Sequence, residues 1–207
     1  MSSVDPGELG FERLVFFSDA VYAIVITLLV LPLTSEFSLP ESRTGLATAV
    51  TERWPTILTF AVSFLVIGQF WTAHHRIFGL LDRQDQGLLW INLVGLLTVA
   101  FLPFPAAVLG AHNETGDAFP VVFFAASMTL TSCAMTGTWR YASSRGLVRR
   151  SPIPGNRRLV TGRAVVTSAV FMLSVPAALL GLPVAVAVWL GVIPLVRVLV
   201  TRLMPAE

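Results

Sequence analysis

Residues 14–33, LVFFSDAVYAIVITLLVLPL, carry a single charged side chain, Asp19, in a run long enough to cross a bilayer. Further runs of this kind lie at about 55–73, 88–109, 118–138, 160–181 and 183–200. In hydrocarbon the backbone must satisfy its own N–H and C=O groups, so successive apolar runs point to α-helices packed as a bundle. The expectation is an all-α, polytopic membrane protein with six transmembrane helices, the whole chain 1–207 forming one domain. Composition agrees: 55% of residues are hydrophobic, 13% are charged and mean hydropathy is +0.76. A soluble domain has about 25% charged residues, so this chain is short of water-facing surface.

Proline and glycine place the breaks. Pro55 and Pro120 fall near helix starts, where a missing amide proton costs little. Pro103, Pro105, Pro176 and Pro194 fall within spans and should kink them. Gly181, Leu182 and Pro183 separate the last two spans, which should form a tight helical hairpin. The start, MSSVDPGELGFER, carries three acids and one arginine rather than the basic start of a secretory signal, so the first span is expected to stay in the mature protein. The lone Cys133 rules out an internal disulfide and reads as a buried thiol.

Arginine sets the orientation. All 14 basic residues are arginine, a coding bias that suits a bacterial source. With both termini cytoplasmic, in the plasma membrane, only Arg43 and Arg53 fall outside. Trp71, Trp90 and Trp139 then come near the inner interface and Trp54 near the outer one, as aromatic belts. The sequon Asn113-Glu114-Thr115 falls on the outer side and reads as a chance match.

A carboxylate inside a membrane span is costly and marks a function or a pairing. At about 100° per residue, with Ile24 at zero, Phe17, Thr27, Leu28 and Leu31 lie within about 60° of it, in one lengthwise stripe. Asp19 points about 140° away and Ser18 about 120° away on the other side. Asp19 therefore reads as a node bonded to a neighbouring helix, for which His74 and His75 at a similar depth are candidates. An ion ligand, a proton carrier or a catalytic acid are the alternatives.

Other chemistry is weakly supported. Adjacent histidines diverge by about 100° on a helix, and no Cys or Glu cluster completes a metal shell. One histidine bonded within the bundle and one at its surface is the simpler reading. Ser18, Asp19 and a histidine do not form a hydrolytic triad, since Ser18 and Asp19 diverge and no oxyanion hole is placed. The arginine-rich loop spanning 140–163 either sets topology or binds anionic lipid headgroups. No feature suggests nucleic acid, a cofactor or an enzyme.

Arg13-Leu-Val-Phe-Phe17-Ser18-Asp19 followed by AVYAIVITLLVL matches an R-x-x-x-F-S-D motif with its trailing helix. It resembles the lysosomal potassium channel family (transmembrane protein 175) and its bacterial single-repeat relatives. The resemblance is strongest over residues 13–33 and continues in FWTAHHRIF. It implies a homotetrameric cation channel with potassium as the permeant, helix 1 lining a central pore and no carbonyl filter. It implies an apolar constriction at Ile24 with further layers at Leu28 and Leu31, and a hydroxyl that favours potassium at Thr27. It also implies that the motif residues Arg13, Phe17, Ser18 and Asp19 anchor the pore helix against Trp71, His74 and His75. Two rivals stand beside this: a proton-coupled transporter relaying through Asp19 and a histidine, and a non-transporting membrane protein whose stripe only packs.

Overall fold

The computed structural model describes residues 6–37, 51, 53–112, 117–149 and 155–203, almost all of them helical. The first span is α1 (Pro6–Leu28) followed by α2 (Leu31–Phe37). The second is α3 (Trp54–Phe78), and the third is α4 (Gln86–Phe101) continued by α5 (Pro103–His112). Then come α6 (Phe119–Ser144) and α7 (Gly155–Ala177). The last pass is α8 (Leu182–Ala187), a π-helical turn (Val188–Val192) and α9 (Ile193–Leu203).

Five of these passes are long and apolar enough to cross a membrane: Leu9–Thr34, Trp54–Phe78, Gln86–His112, Phe119–Ser144 and Arg157–Leu180. The sixth expected span differs, because its apolar part, Leu182–Leu195, is shorter, and the helix then runs into Arg197 and Arg202.

Proline chemistry explains the interruptions. Pro32 lacks an amide proton and its ring crowds the carbonyl four residues back, so the helix opens at Leu29–Val30. Pro103 acts likewise: Leu102 turns with a tighter bond from its N–H to Val99 O at 3.0 Å, and α5 restarts at once. Pro105 makes no kink of its own, since it falls in the first turn of α5, where no amide proton is needed. Pro176 lies inside α7 two residues before the helix tightens into a 3₁₀ turn (Ala178–Leu180). The π-helical turn ends at Val192, two residues before Pro194, with the Ile193 N–H reaching back to Val188 O. Gly181 sits at φ 105°, a conformation that favours glycine, and turns α7 into α8.

Helices in lipid gain little by hiding leucine from leucine-like tails, so close packing and hydrogen bonds must hold the bundle. The seam between α6 and α7 shows both. Ser132 and Ser168 hydroxyls meet at 2.9 Å, Thr136 and Ser168 at 2.8 Å, and Thr129 donates to Phe171 O at 2.9 Å. Phe70, Phe124, Met128, Phe171 and Trp189 fill the centre of the bundle. A second cluster around Leu14, Phe78, Leu88 and Trp139 sits under the loops at one end. There, Asp82 N–H donates to Leu147 O and Arg149 N–H to Leu80 O, tying the α3–α4 turn to the segment after α6.

That end also carries Arg13, Arg76, Arg83, Arg140, Arg145, Arg149, Arg157 and Arg158, whereas Arg53 lies at the opposite end before α3. Arg43, Arg150 and the sequon at 113–115 lie outside the described residues. Two expectations are corrected. Trp139 is no belt residue: it is fully buried and donates its indole N–H to Thr161 Oγ1 at 2.8 Å. Cys133 is exposed on the surface of α6 rather than buried.

The first helix and its anchor

One face of α1 packs into the bundle through Leu14, Ser18, Tyr22, Val25 and Leu29, all buried. The stripe read from the sequence lies on the other side: Phe17 is 51% exposed, Ile24 58%, Leu28 40% and Leu31 54%. Thr27 is exposed with them, and its hydroxyl donates to Ile24 O at 2.7 Å. With its proton committed to the backbone, the Thr27 oxygen is left as an acceptor towards whatever faces the stripe.

Ser18 and Asp19 hold the helix by separate threads. Ser18 is wholly buried; its hydroxyl donates to Leu14 O at 2.9 Å and accepts from Asn92 Nδ2 at 2.9 Å. Asn92 Oδ1 in turn lies 3.0 Å from His74 Nε2. The amide oxygen can only accept, so His74 must carry its proton on Nε2, and every donor in the series is fixed in direction. The series joins α3, α4 and α1, with His74 also stacked on Phe78 at 4.1 Å and packed near Tyr22 at 5.4 Å. Asp19 lies on the other flank and accepts from the Trp71 indole N–H at 2.9 Å.

The sequence-derived set thus divides. Ser18, Asp19, Trp71 and His74 come together where α1 crosses the arginine-rich end of α3. His75 points outward, exposed, with its ring 5.6 Å from Trp71, and no hydrogen bond joins either histidine to Asp19 among the described residues. The expected Asp19–histidine pairing is therefore replaced by Asp19–Trp71. Phe17 belongs to the exposed stripe rather than to the anchor, and Arg13 is exposed.

Asn92 is the member that sequence reasoning missed. An amide within the uncharged run of α4 is a signal in itself, because a buried amide needs partners. Asp85 was missed too: it caps α4 by accepting from Leu88 N–H at 2.7 Å and accepts from the Tyr141 hydroxyl at 3.0 Å. Gly87 permits that contact, since a Cβ there would overlap the Tyr141 hydroxyl.

Residues 13–103, which contain the stripe and every anchor residue, match the family described as endosomal/lysosomal potassium channel TMEM175. Over this stretch the chain is similar to the TMEM175 channels. A potassium channel of Streptomyces collinus is 36% identical over 123 residues, 59% of this chain and 59% of that channel. The human endosomal/lysosomal proton channel TMEM175 is 30% identical over 99 residues, 47% of this chain and 19% of that protein. The crystal structure of a lysosomal potassium-selective channel TMEM175 homolog from Chamaesiphon minutus superposes with a TM-score of 0.74 at 25% identity. That match covers 95% of this chain and 99% of the homolog. The match thus spans a little over half the length of the Streptomyces potassium channel, while the fold matches the Chamaesiphon homolog over 95% of this chain.

Proposed function

We propose that this protein is a potassium-permeable cation channel in which four copies surround a pore lined by α1. One observation carries this reading: α1 keeps an apolar stripe with a single hydroxyl exposed, while its opposite face is fixed by hydrogen bonds to two other helices. Fourfold repetition would turn Ile24 into an apolar ring that impedes hydrated ions by dewetting, with Leu28 and Leu31 as further layers. Four Thr27 oxygens beside that ring would replace part of an ion's lost water. Selectivity built from so few dipoles should be modest. Asp19 and Trp71 would set the angle of each pore helix without entering the pore.

The arginine-rich end would face the cytoplasm of a bacterial cell, with both termini there. Support for tetramers comes also from Asp19, which is only half-buried within one chain; a neighbouring copy would shield a carboxylate better than lipid could. The rival transporter reading asks for a relay between Asp19 and a histidine, and the described hydrogen bonds contain none.

The test is ion flux into liposomes holding purified protein, potassium against sodium and against protons, with Ile24→Ala and Asp19→Asn beside wild type. Potassium-favouring flux that rises in Ile24→Ala is the expected result. A properly folded tetramer that passes no potassium would overturn the channel reading. Proton flux alone, lost in Asp19→Asn, would move the relay reading to first place.

A further inference from the structure

A cleft of about 80 Å³ lies between α3 and α7 beside α6, away from the α1 stripe and divided from the His74–Asn92 pair by Ile77 and Met135. One water needs roughly 10–15 Å³ on the same measure, so the cleft holds more than isolated solvent. Its wall is apolar through Phe70, Ile77, Met135 and Val160, and at its arginine-rich end it carries Arg76 and Arg163. Among the described residues no carboxylate lines it. The hydroxyls that border it are turned inward to the seam: Ser132 and Thr136 both bond to Ser168, and Thr136 donates to Ala164 O.

Depth matters as much as charge. Arg76 stands two residues before the end of α3, and Arg163 about two turns into α7, whose first turn begins at the same end of the bundle. Two guanidiniums at headgroup depth, above an apolar slot that leads toward the membrane interior, complement an anionic amphiphile. Guanidinium forks grip phosphate oxygens two at a time, which favours a phosphate over a single-point anion.

We propose that this cleft binds the phosphate headgroup of an anionic phospholipid between Arg76 and Arg163, with an acyl chain along the half-buried Met135 and Val160. The site belongs to a single chain and requires neither a pore nor a tetramer, so it stands or falls independently of the channel reading. It also localises lipid recognition: the arginines of the loop after α6 attract a charged surface in general, whereas this pair holds one molecule.

The experiment compares unfolding midpoints in nanodiscs of phosphatidylcholine with and without phosphatidylglycerol. Wild type should gain about 4 °C or more from phosphatidylglycerol, as expected for a ligand bound well above its dissociation constant. Arg76→Gln with Arg163→Gln should lose that gain, while Arg83→Gln with Arg149→Gln, changed outside the cleft, should keep it. Ala164→Phe, which fills the slot with both arginines intact, should lose it as well. Inorganic phosphate added to phosphatidylcholine discs should give no gain. The proposal is overturned if the cleft variants respond like wild type, or if inorganic phosphate reproduces the shift.

Discussion

On α1, Val25 is 3% exposed and Ile24, the residue before it, is 58% exposed. Both are aliphatic and β-branched, and both sit near the end of α1 in a run that hydropathy treats as uniform. What separates them is a rotation of about 100°. The buried face needs fit, and it has Tyr22, Leu29 and the bonded Ser18 beside Val25. The exposed face needs a surface of one character, and it has apolar side chains around Thr27. On the proposed channel reading, a helix holds a structural duty and a transport duty only a residue apart.

That contrast can be broken from either side. The largest loss of stability should come from Asn92→Leu, which strips the His74 Nε2–H and Ser18 of partners inside the bundle. About 2–3 kcal/mol should go, read as a fall in the unfolding midpoint of the purified protein. Val25→Ala should cost about 2 kcal/mol through the void it leaves, with potassium flux per folded tetramer unchanged. Trp71→Phe keeps an aromatic side chain but replaces the indole by a smaller ring with no N–H for Asp19; about 1 kcal/mol should be lost with the hydrogen bond, and single-channel current should become more variable as the helix angle loosens. Ile24→Ala should be nearly silent in the melting curve, within about 0.5 kcal/mol, yet raise flux several-fold. Should Val25→Ala alter flux as much as Ile24→Ala does, the division of the helix into two faces is wrong.

Much of this was legible in the sequence because membrane helices obey one rule at a time. Apolar length marks the passes, proline and glycine mark their interruptions, and a fixed rotation per residue separates Ser18 and Asp19 from the Ile24 stripe. What stayed hidden depended on which neighbour arrives beside a given face. Depth alone offered Asp19 only His74 or His75, Trp71 entering through the family resemblance, and the geometry gives Asp19 to Trp71. Trp139 looked like a belt residue because belts and cores use the same ring, and only burial against Thr161 tells them apart. The opening at Leu29–Val30 was foreshadowed by Pro32, a residue easily passed over near the end of an apolar run.

The fixed direction of the buried series has one more consequence. His74 gives to Asn92, Asn92 gives to Ser18, and Ser18 gives to a backbone carbonyl at Leu14. A proton wire needs members that can each take a proton on one side and release one on the other. A carboxamide does this very poorly, and a peptide carbonyl in helical register has nowhere to pass the charge on. The series is therefore a buckle rather than a conductor: it can clasp three helices at membrane depth while leaving no route by which protons leak through the place where they are joined.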